Sequence, residues 1–350
     1  MSYLRSTFRH PDLPKNKLGY TRTNYEGALS TLCAGCGHDS ISNSIIDACF
    51  ELALEPHRIA KMSGIGCSSK TPAYFLSKSH GFNSVHGRMP SVTVGANMAN
   101  RDLTYIGVSG DGDTASIGMG QFIHLVRRNL NMVYICMNNG VYGLTKGQDS
   151  ATSDIGSSSK KGVPNMFEPI DLCELAISLG SGYVARSFSG DKDQLVPLIE
   201  GAIRHNGFAL IDCVSPCVTF NNTPRSTKSY DWIREHKEAT GKMDLVPAEQ
   251  EIVVKLPGEI NETILLHDGS SIHLTRVNKR MDITNRESSL SHLEIAKEKN
   301  QILTGLLHLN TESRETHEII GTSKQPLNTM EQKDLCPGSE LLEQINASLR

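Results

Sequence analysis

Apolar positions along the chain alternate between a helical and an extended rhythm. Ile41, Ile45, Cys49 and Leu52 fall on one face at helical spacing and predict a helix opening near residue 39, with Asp39 or Ser40 as its cap. Residues 103–108 (Leu-Thr-Tyr-Ile-Gly-Val) read as a buried strand, closed by Ser109-Gly110-Asp111-Gly112-Asp113. A helix over about 115–128 follows, with Arg127 and Arg128 placed to suit the negative end of its dipole. Residues 132–137 form a second strand pattern, closed by Asn138-Asn139-Gly140. Helical spacing then returns at 170–179, extended spacing at 183–186, helical spacing at 191–204, and a third strong strand pattern at 208–214. Near-continuous apolar strands separated by helices predict an α/β fold, a doubly wound and mostly parallel sheet with helices on both faces.

The two ends read differently. Residues 1–30 lack a sustained period and carry Pro11, Pro14, Asn16 and Gly19, which predicts an extended N-terminal arm. Past residue 235, short strand-like runs at 251–256, 263–266 and 272–277 surround an Asp268-Gly269 turn and predict a small antiparallel unit. Helices are expected at 290–302 and 338–349, with a polar, flexible stretch over 310–334. The expected organisation is an arm (1–30), a central domain (31–235) and a C-terminal α+β extension (236–350).

Composition narrows the function classes. Hydrophobic residues make up 38% and charged residues 21% of 350, enough for a large core and too apolar for a disordered chain. A formal charge of −3 argues against nucleic acid as a partner, since phosphate contacts need a basic surface. The N-terminus has no apolar core of a secretory signal, and no stretch approaches the roughly 18 apolar residues of a membrane span. Nine cysteines, an odd number in a chain too large to need disulfide staples, fit a cytoplasmic protein with reduced thiols.

Asp111 and Asn139 lie 28 positions apart, each in the loop after a strand, with one helix between them. A helix leading away from a sheet edge and a strand leading back put both loops on one rim, where ligands bind in doubly wound sheets. Magnesium prefers near-octahedral oxygen ligands and is commonly shared between a carboxylate and phosphates. Asp111 offers a carboxylate, Asn139 an amide oxygen and Val141 a backbone carbonyl. The glycines beside Asp111 and the start of the next helix favour an approaching diphosphate. A lone Gly-Asp-Gly is usually a turn. Paired with Asn-Asn at this distance, it resembles the thiamine diphosphate motif.

Cysteines supply a second constellation. Cys33-Ala34-Gly35-Cys36 can chelate one centre without backbone strain, Cys67 follows in Gly-Ile-Gly-Cys-Ser-Ser, and Cys217 follows the 208–214 strand. Four thiolates from loops at one end of a sheet suit either zinc or a [4Fe–4S] cluster, and spacing does not separate the two. Cys49, Cys136, Cys173 and Cys213 read as buried core thiols.

Five motifs now stand in order: Cys-Ala-Gly-Cys-Gly at 33–37, Ser-Gly-Ile-Gly-Cys-Ser-Ser at 63–69, His-Gly-Arg at 86–88, Gly-Asp-Gly-Asp at 110–113 and Asn-Asn-Gly-Val-Tyr-Gly-Leu-Thr-Lys-Gly-Gln at 138–148. Over roughly residues 28–235 the chain resembles the β subunit of the 2-oxoacid:ferredoxin oxidoreductases. The resemblance implies bound thiamine diphosphate, Mg2+ and one [4Fe–4S] cluster. It implies Cys33, Cys36, Cys67 and Cys217 as cluster ligands, with Cys217 in competition with nearby Cys213. It implies Asp111, Asn139 and Val141 at magnesium, and Ile65, Gly66, Cys67, Ser68, Gly112, Asp113, Gly143 and Leu144 along the thiamine.

The implied reaction is oxidative decarboxylation of a 2-oxoacid, with electrons leaving through the cluster to ferredoxin and the acyl group passing to coenzyme A. An α subunit is the implied partner, because the family's carboxylate for the aminopyrimidine comes from it and no counterpart is legible here. Lys146, seven positions past Asn139, is placed to pair with the distal carboxylate of a dicarboxylic 2-oxoacid, or is a solvated surface lysine. The Leu-Thr-Lys-Gly-Gln run looks more like 2-oxoglutarate-type members than pyruvate or branched-chain types. His86 and Arg88, in a glycine loop, are placed to touch cofactor or substrate, although a histidine in such a loop is as often only a backbone hydrogen-bond partner. The remaining alternatives are a non-redox thiamine decarboxylase with structural zinc and a zinc-stabilised binding module without catalysis.

Overall fold

The apolar run at 132–138 becomes a strand whose every residue is buried, and the run at 208–214 lies beside it, equally buried. Such strands cannot alternate polar and apolar residues, because both faces meet packed helices. The computed structural model describes residues 13–158, 163–248, 260–276, 281–336 and 338–350.

In chain order its first half comprises α1 (Gly37–Glu51), β1 (Ile59–Ser63), β2 (His80–Asn83), α2 (Met89–Ala99), β3 (Thr104–Gly110), α3 (Met119–Arg128), β4 (Met132–Asn138), a hairpin of β5 (Val141–Tyr142) and β6 (Gln148–Asp149), and α4 (Leu172–Ser178). Next come β7 (Tyr183–Phe188), α5 (Lys192–Arg204), β8 (Phe208–Val214), α6 (Tyr230–His236), β9 (Lys237–Ala239), β10 (Gly241–Val246), β11 (Ile260–Leu265) and β12 (Ser271–Arg276). The chain ends with α7 (Arg286–Glu298), β13 (Ile302–Leu309), α8 (Thr316–Ile320), α9 (Gln332–Leu335) and α10 (Gly338–Ser348).

Among the described residues the main sheet has the order β2-β1-β3-β4-β8-β7-β13-β9. The pairs from β2 to β7 are all parallel, and β13 runs antiparallel to β7. The doubly wound, mostly parallel sheet is therefore present, with an antiparallel addition. Gly110 pairs with Met137 in the β3–β4 register. The loops after those two strands consequently open side by side, as the 28-residue spacing requires.

Several elements depart from the expected pattern. Helix α1 begins at Gly37 with Cys36 as N-cap, two residues before the expected start. Residues Gly112–Ile117 form a π-helical turn, and α3 proper starts only at Met119. The Gly118 N–H reaches back to the Asp113 carbonyl at 2.9 Å, a widening of the kind found at functional sites. Residues 302–309 form a strand, where a helix was expected to end at 302. Gly305 at φ +110° and an irregular register between Leu306 and His308 blur its period. That strand carries the main sheet across the expected boundary at 235/236.

Among the described residues the antiparallel unit has three strands, ordered β10-β12-β11; β10 matches none of the expected runs, and the expected run at 251–256 lies outside the described residues. The stretch 310–334, expected to be flexible, is folded back onto α2 and α3. His317 bonds Asn97 at 2.9 Å, Arg101 pairs with Glu315 at 3.1 Å, and the Thr316 hydroxyl donates to the Arg128 carbonyl. Within the N-terminal arm, whose first 12 residues are outside the description, Tyr25 is fully buried and Arg22 pairs with Asp47 on α1. Among the described residues no helix is long and apolar enough to cross a membrane. All nine cysteines are free.

Candidate active site

Asp111 follows directly on β3 and is 1% exposed. Its Oδ1 accepts the Asn139 N–H at 3.2 Å, and Oδ2 accepts the Thr152 hydroxyl at 2.8 Å and the Ser150 hydroxyl. Burial pushes its carboxyl above the usual range, and these donors pull it part of the way back. Asn139 turns the chain at the end of β4: its Oδ1 accepts the Val141 N–H at 3.0 Å, across Gly140 at φ +72°. Asn221 Nδ2 holds the Asn139 carbonyl at 2.8 Å, and the opposite Asn221 Oδ1 is buried without a partner.

Asp113 is pinned harder. It accepts from the Gly87 N–H at 2.7 Å and the Ser109 hydroxyl at 2.8 Å, and it pairs with His86 Nδ1. Gly64 is obligatory beside it, because a Cβ there would stand 1.8 Å from Asp113 Oδ2. His86 thus lines the cleft and pairs with Asp113 there.

These residues border one cleft of about 80 Å3. Ile65, Gly66, Cys67, Ser68, His86, Asp111, Gly112, Asp113, Asn139, Val141, Gly143 and Leu144 all line it. So do His38, Gly110, Tyr142 and Thr145, which sequence reasoning passed over. Gly110 and Tyr142 lie inside the recognised motifs, and His38 directly follows Cys-Gly, so a signal existed for each. Ser150 and Thr152 carried none, since Ser and Thr in a loop are ordinary turn composition. His38 is buried, bonds the Ser215 hydroxyl at 2.6 Å, and is pushed down to about 4 by burial. It is therefore neutral near pH 7. Lys146 and Arg88 are both exposed and stand outside the cleft-lining set; Lys146 sits at the β5–β6 tip with φ +81°.

Cys33, Cys36, Cys67 and Cys217 gather at one side of the cleft. A Cβ placed at Gly143 would touch Cys67 Sγ at 3.5 Å and Cys217 Sγ at 3.7 Å. Thr219 Oγ1 lies 3.3 Å from Cys33 Sγ. Burial pushes Cys36 up to about 12, with Cys217 and Cys67 adding to the rise, and Cys67 is raised by burial and then by Cys217 and Cys33. Cys213, the rival of Cys217, is fully buried in β8.

The donor sets can be tested against the groups they would hold. Asp111, Asn139 and Val141 present hard oxygen atoms around a desolvated carboxylate, which suits Mg2+. The Ser68 hydroxyl is buried in the cleft wall without a partner, as a group awaiting a polar ligand would be. For the cysteines, no three metal-binding side chains among the described residues are grouped to hold a single ion. Tetrahedral zinc at about 2.3 Å from each sulfur demands such a grouping. A four-iron cluster, with one thiolate per iron, holds its sulfurs farther apart.

A family model described as the C-terminal TPP-binding domain of thiamine pyrophosphate enzymes matches residues 64–213. The 2-oxoacid:ferredoxin oxidoreductase β subunit of a Sulfolobus species is 41% identical over 233 residues, covering 66% of this chain and 74% of that one. This chain belongs to the 2-oxoacid:ferredoxin oxidoreductase β-subunit family. Another member, a 2-oxoglutarate synthase subunit KorB from Methanocaldococcus jannaschii, is 38% identical over 208 residues, covering 59% of this chain and 76% of that one. The solved 2-oxoglutarate:ferredoxin oxidoreductase of Magnetococcus marinus, with 2-oxoglutarate, coenzyme A and succinyl-CoA bound, superposes with a TM-score of 0.70 at 28% identity. That match covers 93% of this chain and 96% of that chain. As a member of the family, the chain is an oxidoreductase subunit built on a thiamine-diphosphate-binding fold.

Proposed function

We propose that this β subunit holds Mg2+, thiamine diphosphate and one [4Fe–4S] cluster, and with an α subunit catalyses coenzyme A-dependent oxidative decarboxylation of a 2-oxoacid, 2-oxoglutarate before pyruvate or a branched-chain acid. Ferredoxin takes the electrons, and the setting is the reducing cytoplasm. The observation that carries this reading is the nearness of two donor sets: Asp111, Asn139 and Val141 line the cleft together with Gly143, and Cys67 and Cys217, two of the four cysteines, flank that glycine. Residues 31–235 bear both sets, within a sheet that strands β9 and β13 extend beyond that boundary.

Thiamine diphosphate supplies the carbon chemistry when bound, and the chain's own residues bind, orient and shield. Asp111 and Asn139 hold the metal and through it the diphosphate. The Gly112 and Asp113 backbone at the π-helical turn faces the same cleft. Asp113, fixed by Ser109, Gly87 and His86, keeps that turn open. Neutral His38 offers a hydrogen bond in place of a charge. Leu144 and Ile65, both exposed at the rim, exclude water once covered. Lys146 at the hairpin tip binds the distal carboxylate of the substrate. Cys67 lines the cleft itself, so electrons leaving the substrate have a short path to the cysteine group.

Anaerobic co-purification with the α subunit tests the proposal. Expected are four irons and one thiamine diphosphate per β subunit, with dye reduction that requires both 2-oxoglutarate and coenzyme A. Colourless protein carrying stoichiometric zinc would overturn it.

A further inference from the structure

The hydrogen bonds around Asp111 continue well past the cleft. The Thr152 hydroxyl, 2.8 Å from Asp111 Oδ2, also lies 3.1 Å from Asn138 Oδ1. Asn138 Nδ2 donates to Asp212 Oδ1 at 3.0 Å, and Arg186 Nε donates to Asp212 Oδ2 at 3.2 Å. Arg186 then pairs with Asp171, the side chain that caps α4. The strand register builds this chain: Arg186 on β7 stands opposite Asp212 on β8, and Asp212 stands opposite Cys136, one pleat before Asn138 on β4.

Arg186, Asp212 and Asn138 are all buried. Although burial opposes charging Arg186, Asp171 and Asp212 hold its guanidinium well above its ordinary value. Asp212 Oδ1 accepts from the Asn138 amide nitrogen, which leaves the Asn138 amide oxygen facing the Thr152 hydroxyl. The pair also borders a second cavity of about 380 Å3, so packed side chains do not back it on that side. Its orientation is held by charge and hydrogen bonds.

We propose that the Arg186–Asp212 pair is a positioning device for the metal site: it fixes Asn138 and, through it, the β4 tip from which Asn139 reaches Mg2+. The inference rests on the cofactor assignment above. Partners one step removed from metal ligands commonly control metal affinity by about 10- to 100-fold.

The test uses the intact αβ complex stripped of cofactor, with thiamine diphosphate uptake followed during a Mg2+ titration, and the melting temperature of the stripped complex as control. Asp212→Asn removes the charge at constant shape. The triple change Arg186→Met with Asp212→Leu and Asp171→Asn removes all three charges together and keeps a capping side chain on α4, a replacement of the kind that buried ion groups often survive without loss of stability. Asn138→Ala cuts the tie from the other side and leaves the ion pair intact. Each folded variant is expected to need about 10- to 100-fold more Mg2+ for half-saturation. A lowered melting temperature with an unchanged Mg2+ midpoint overturns the positioning role and leaves a merely structural one. Absence of Mg2+-dependent uptake by the unaltered complex overturns the functional reading and this inference together.

Discussion

Tyr142 stands over Gly112, with its hydroxyl donating to the Gly112 carbonyl at 3.0 Å. A Cβ added at Gly112 would meet the Tyr142 ring at 2.5 Å. Gly112 is therefore required by a side chain from the neighbouring loop, independently of any ligand. Gly112→Ala should push the ring off its seat at an overpacking cost of about 1–3 kcal/mol. Borne by the ligand-bound state, that cost weakens Mg2+–thiamine diphosphate uptake roughly tenfold or more. Adding Tyr142→Leu should recover much of the loss; calorimetric titration of the two variants checks the pair.

Legibility in the sequence followed physical locality. The three strands at 104–110, 132–138 and 208–214 were readable because burial on both faces leaves a near-continuous apolar run. Asp111, Asn139, Cys67 and Cys217 were readable because each sits in a short segment after a strand, and Cys33 and Cys36 because they share a short motif at the start of α1. Strand β13 was not readable, since Gly305 and the irregularity after it interrupt the alternation. Nor was the anchoring of 315–317 on α2, which depends on single polar contacts to residues more than 200 positions away. Ser150 and Thr152 belong to the same class: their meaning comes from Asp111, about 40 residues earlier in the chain.

Acid sensitivity should trace in part to His205. It is 3% exposed, its Nε2 has no hydrogen-bond partner, and it packs near the Tyr183 ring at 5.8 Å. Burial pushes it down to about 3, with His267 and His308 contributing. An unfolded histidine takes up its proton near pH 6.5, so between that pH and about 3 the unfolded chain holds more protons than the folded one. This contribution to stability is complete above pH 6.5 and is lost as the pH falls. His205→Phe should flatten the decline, as read from urea midpoints at about pH 7 and about pH 5. A variant that declines as steeply as the parent would remove His205 as the source.

Lys146 discriminates among substrates if it meets a distal carboxylate. Its backbone N–H is tied to the Gly143 carbonyl at 3.2 Å, which fixes the tip of the hairpin while the side chain is exposed. Charge-assisted hydrogen bonds contribute about 1.5–3 kcal/mol. Lys146→Ala in the αβ complex should therefore raise KM for 2-oxoglutarate roughly tenfold or more, with KM for pyruvate nearly unchanged. Equal rises for both acids would mean that Lys146 does not read the second carboxylate.

The rivalry between Cys217 and Cys213 yields the sharpest test of the cysteine assignment. Cys217 Sγ and Cys67 Sγ flank the same glycine, Gly143, whereas Cys213 is sealed inside β8 with its thiol pushed far up by burial. A ligand to iron must give up its proton beside the metal, which a thiol packed among strands cannot do without unpacking them. Cys217→Ser should abolish or halve the iron content and the broad visible absorbance while leaving Mg2+–thiamine diphosphate binding within about threefold, because the oxygen donor set is untouched. Cys213→Ser should keep its iron and instead lose about 1–3 kcal/mol of stability, by placing an unpaired hydroxyl in the core. Iron and sulfide assays on both variants, beside their denaturation midpoints, decide the matter; the reverse pattern would move the fourth ligand to Cys213.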